Sequence, residues 1–96
     1  MSEYRVPSHL YDTASHLSNL WEPHQQDLAK AKYTELVNSL QAHKIPESLW
    51  LSMHKRTQEG LDKPFMFGQE MHHRLYAHEQ EMNGGPRNPY HAPNQG

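Results

Sequence analysis

The chain has 96 residues, no cysteine and a formal net charge of −2, which bounds it to one domain without disulfides, thiolate metal sites or a thiol nucleophile. Ala, Val, Ile, Leu, Met, Phe, Trp and Gly make up 33 of the 96 residues, about a third against a usual ~45–50%, so the core is thin for its length. Two Val, one Ile and three Thr are too few for a pleated sheet, whereas ten Leu, five Met and six Ala suit helices.

The first predicted helix runs over 8–21. Leu10, Ala14, Leu17 and Trp21 recur at helical spacing, so Trp21 is expected in the core with the other three. Ser8 follows Pro7 and is the expected N-cap. The second predicted helix spans 24–44 and opens after Pro23. Ala29, Tyr33, Leu36 and Leu40 form its apolar stripe, Val37 widens it, and His43 and Lys44 complement its negative end.

The third predicted helix, 46–59, begins at Pro46 and carries Leu49, Trp50 and Met53. His54, Lys55 and Arg56 sit near its C-terminus as favourable charge, and Gly60 is the expected residue just past its end. The fourth, 66–83, follows Pro64 and aligns Gly68, Met71, Leu75, His78 and Met82, with Glu70 and Arg74 as an i,i+4 pair on its outer side. Asn83-Gly84-Gly85 ends it. The expected organisation is therefore all-α: a small bundle of about four short helices over 1–83, followed by an extended or disordered Pro/Gly-rich tail over 84–96.

Nine histidines are the main compositional anomaly, and they are dispersed along the chain. Most read as solvated residues on helix faces. His78 interrupts an apolar stripe and reads as a hydrogen-bonded core residue, whose burial in neutral form would give acid sensitivity. Glu70 and His73 form a Glu-x-x-His pair on one helical face, the arrangement used by di-iron carboxylate bundles, with His72 adjacent. Those bundles need a second pair that this chain lacks. No metal or cofactor is therefore expected, and Glu70, His72 and His73 stand as the alternative metal ligands.

No glycine-flanked nucleophile elbow or phosphate loop is present, and Glu79 and Glu81 point to different faces of a helix, so the chain does not read as an enzyme. Nine basic residues against eleven acidic ones, and a pI near 6.5, argue against a phosphate-binding stripe; a nucleic-acid-associated factor is the third-ranked reading. No apolar run approaches the ~20 residues of a membrane span, and nothing at the N-terminus resembles a secretory signal, which sets a cytoplasmic or other intracellular location as the expectation.

Phe65-Met66-Phe67 places three large apolar residues side by side, more than one helical face can bury. These three, with Trp50 and with Arg87, Pro89 and Tyr90 of the tail, form the expected partner-binding set. The function expected on that basis is a non-catalytic protein-interaction module: an adaptor, regulatory factor or small subunit that binds another protein or a second copy of itself. A histidine-rich metal-binding or pH-switch protein is the alternative.

Overall fold

The computed structural model describes residues 4–84, so the predicted tail, with Arg87, Pro89 and Tyr90, lies outside the described residues apart from Gly84. The fold is all-α: α1 covers Ser8–Ser18, α2 Gln26–Ala42, α3 Leu51–Gln58 and α4 Pro64–Met82. No strand occurs among the described residues. Short 3-10 turns, Pro23–Gln25 and Glu47–Leu49, lead into α2 and α3.

The predicted stripes become the core. Leu10, Ala14 and Leu17 of α1 meet Ala29, Leu36, Val37 and Leu40 of α2 and Phe67, Met71 and Leu75 of α4 in one buried cluster. α1 lies antiparallel to both longer helices. Its C-terminal half faces Gly68 at the start of α4, while Tyr11 near its beginning faces His72 in the middle of α4 and Glu79 near its end. The crossing is close because Gly68 has no side chain: a Cβ there would lie 2.7 Å from the Ala14 carbonyl oxygen.

α1 ends earlier than its periodicity predicts. The Ser18 hydroxyl and the Asn19 side-chain amide both donate to the Ser15 carbonyl, at 2.7 and 3.0 Å, and such local side-chain bonds compete with the next helical turn. The chain turns there, so Leu20 enters the core and Trp21, expected inside, is 59% exposed. Ser8 is the first helical residue and Pro7 occupies the cap position. Before α2, Gln25 accepts the Glu22 backbone N–H at 3.2 Å as part of a capping box between Glu22 and Gln25.

The end of α2 is a Schellman motif: Lys44 N–H donates to Gln41 O and Ile45 N–H to Leu40 O, with Ile45 and Leu40 both buried. Lys44 takes the left-handed conformation, φ 57°, that glycine usually supplies. Gly60 fills the equivalent position after α3, at φ 81°, as its place in the sequence predicts.

The predicted helix 46–59 is interrupted at Trp50. Its indole turns inward, is 1% exposed and donates to the Ile45 carbonyl at 3.2 Å. That burial separates a 3-10 turn from an α3 of only eight residues.

α4 has nineteen residues and α1 eleven, a difference of roughly 12 Å at 1.5 Å per residue. Residues 4–7 cover part of this overhang. Tyr4 and Asn83 exchange two hydrogen bonds, at 2.8 and 3.0 Å, and the Glu79 carboxylate accepts the Val6 N–H at 2.8 Å and the Tyr11 hydroxyl at 3.2 Å. Met82, between Glu79 and Asn83 in sequence, is nevertheless exposed.

Candidate functional site

The helix that begins at Pro64 rotates Phe65, Met66 and Phe67 by about 100° each, so they point three ways. Phe67 packs edge-on against Tyr33, ring centroids 5.1 Å apart, and is 1% exposed. Phe65 is half-buried, and Met66 is 43% exposed. Trp50 is as buried as Phe67. Phe67 and Trp50 therefore belong to the core of the single chain, which corrects their expected partner-facing role. Met66 is the member of the trio that stays open to solvent.

Met66 has company that the sequence pattern did not single out. Trp21 follows the end of α1, Leu28 lies in the first turn of α2, and Leu61 lies in the turn before α4. Because α1 is antiparallel to α2 and α4, all four belong to the same end of the bundle. Each is exposed. Leu28 is off the α2 stripe and Leu61 is in a turn, so periodicity carries no signal for either.

The helix-packing groove between α3 and α4 opens into a cleft of about 400 Å³ with Met53, Met66 and Phe67 on its walls. Its two arginines are already engaged. Arg56 makes a two-pronged pair with Asp62, at 2.9 and 3.3 Å, and Arg74 bonds Glu70 at 3.2 Å and the Leu49 carbonyl at 3.0 Å. The predicted Glu70–Arg74 pair is thus present.

That pair also works against the alternative metal site. Glu70 faces Arg74, His72 lies against the Tyr11 ring at 5.5 Å, and the His72 and His73 ring centroids are 6.4 Å apart with planes at 85°. Among the described residues no group of three or more His, Asp or Glu side chains is placed to hold an ion. Glu70, His72 and His73 line one open cleft beside Ser15 and Ser18, but they are not placed as an ion-holding group.

His78, expected in the core, is half-buried with its ring edge-on to Tyr4 at 5.3 Å. The histidine that burial does perturb is His54, which the sequence pattern assigned to solvated helix-end charge. It lies among Tyr33, Trp50 and Phe67, the Tyr33 hydroxyl contacts its Nδ1, and desolvation lowers its pKa from the usual 6.5. Burial also pushes the Tyr33 hydroxyl up to about 12. Tyr11 rises to about 12 as well, first through burial and then through the Glu79 carboxylate beside it. The signal for His54 was its i+4 relation to Trp50, legible only once Trp50 is known to face inward.

No protein family, curated protein or solved structure matches this chain. No helix among the described residues is long and apolar enough to cross a membrane.

Proposed function

We propose that this chain is a small non-catalytic helical module that binds another protein through the end of the bundle bearing Trp21, Leu28, Leu61 and Met66. The observation that carries this reading is the concentration of exposed apolar side chains there. Among the described residues, four of the six large hydrophobic residues left exposed belong to that end; Tyr76 and Met82 lie toward the other. In a chain poor in apolar residues, leaving a tryptophan and three long aliphatic side chains in water forgoes burial at about 25 cal/mol per Å². Trp and Met are also residue types enriched where protein surfaces meet. The two arginines of the α3–α4 cleft are engaged by Asp62 and Glu70, and among the described residues no group of three or more His, Asp or Glu is placed to hold a metal ion.

The test uses the purified full chain and a Trp21→Ser/Met66→Ser double variant. Sedimentation over a range of concentrations detects self-association, and affinity capture followed by reconstitution with the identified purified protein detects a heterologous partner. The expected result is one association that the double variant abolishes while helicity is retained. The reading is overturned if the parent neither self-associates nor binds a reconstituted partner, or if association is indifferent to both substitutions.

A further inference from the structure

The fold gives several of the histidines a plain use as small aromatic packing groups. His54, His72 and His78 lie against the rings of Tyr33, Tyr11 and Tyr4. His9 and His43 do not follow this pattern. His9 is in the first turn of α1 and His43 caps the C-terminus of α2, yet their ring centroids are 4.9 Å apart with planes tilted by 56°. Both residues are exposed, and neither imidazole has a further hydrogen bond or ring partner among the described residues.

We propose that His9 and His43 together bind one divalent transition-metal ion of the imidazole-seeking class (zinc, copper or nickel), with water completing its shell. A coordinated imidazole nitrogen sits ~2.0–2.1 Å from zinc, which places each ring centroid about 3.2 Å from the ion. With one nitrogen of each exposed ring turned to a shared ion, centroids 4.9 Å apart would subtend roughly 100° there. That angle lies between the ~90° of square-planar and the ~109° of tetrahedral coordination, the geometries these ions favour.

The two hosts are positioned before any ion arrives. His9 is part of a regular helical turn, and His43 is fixed by the Schellman motif that runs through Leu40, Gln41, Lys44 and Ile45. The negative end of α2 favours a cation beside His43 and the positive end of α1 opposes it beside His9, so the helix dipoles do not decide the matter. The imidazole donors do. Among the described residues no third histidine or carboxylate joins them, which makes the ion exchangeable and the fold independent of it. The pair occupies the end of the bundle opposite Trp21 and Met66, so metal binding and partner binding fail independently.

The test titrates the EDTA-treated full chain with zinc chloride in a calorimeter. One ion is expected per chain. His9→Gln and His43→Gln should each weaken binding about tenfold or more, and the double variant should be little weaker than either, because a chelate needs both arms. His16→Gln and His73→Gln serve as controls and should bind as the parent does. Circular dichroism confirms that the variants fold. At substoichiometric zinc, the imidazole resonances of His9 and His43 should shift together ahead of the others. Binding no tighter than that of the double variant would mean the rings merely stack and overturns the proposal. So does binding that survives in the double variant but is lost in His73→Gln.

Discussion

Replacing Gly68 with alanine sets two effects of opposite sign against each other. In an exposed helical position the change stabilises by about 1 kcal/mol, because alanine loses less backbone entropy on folding. At Gly68 the new methyl group would lie 2.7 Å from the Ala14 carbonyl oxygen, 2.9 Å from the Leu17 Cβ and 2.9 Å from the Ser18 nitrogen. An ordinary contact begins near 3.4 Å, so α1 and α4 must separate by up to 0.7 Å, the difference between 3.4 and 2.7 Å. None of the three atoms is the end of a flexible side chain, so the strain has no cheap outlet. Overpacking of this kind costs about 1–3 kcal/mol. The separation would also loosen the buried contacts of Leu17, Phe67 and Met71. A net loss of about 1–3 kcal/mol is expected, and Gly68→Leu should lose more. Urea denaturation followed by far-UV circular dichroism measures it, with Gln69→Ala on the exposed face as control, expected within about 0.5 kcal/mol of the parent. A Gly68→Ala variant more stable than the parent would refute the close crossing of α1 and α4, and with it the helix arrangement that gathers Trp21 and Met66 at one end.

Burial lowers the pKa of His54 in the folded chain, so between that value and about 6.5 the unfolded chain binds the extra proton, and stability falls as pH drops through this window. His54→Asn should show a smaller acid loss than the parent when urea midpoints are compared from about pH 8 down to about pH 5; parallel curves would rule out His54 as a source of the loss. Lys44→Gly should raise stability by about 1 kcal/mol by relieving a left-handed backbone, whereas Gly60→Ala should lower it by about as much. At Gly60 nothing lies within 4 Å of the added methyl, so equal stability there would show that conformation is not the cause. Glu79→Ala should cost about 1–3 kcal/mol by leaving the Val6 N–H without its partner. It should also bring the Tyr11 titration down from about 12, partway only, since burial is the larger cause. An unchanged Tyr11 titration in alkaline ultraviolet difference spectra would mean that the carboxylate is not beside it.

Local order is what the sequence by itself determined. Pro64 opens α4, Gly60 closes α3, and the stripes Leu10/Ala14/Leu17, Ala29/Leu36/Leu40 and Met71/Leu75 are buried as their spacing requires. These features depend on nearest-neighbour backbone chemistry and on helical period, both written in consecutive residues. What faces the stripe, and for how long, was decided by the tertiary structure. Trp21 and Leu20 exchanged places because α1 stops at Ser18, where side chains take over a backbone carbonyl. Met82 keeps the α4 period yet is left exposed. Trp50 and Phe67 are core because a 3-10 break and the packing of Tyr33 turn them inward, and His54 is perturbed only because both are there. The expected partner surface moved for the same reason. Which apolar residues are left over depends on which ones the folded neighbours can cover, and the His9–His43 pair exists only because an antiparallel turn of the chain brings the start of α1 to the end of α2.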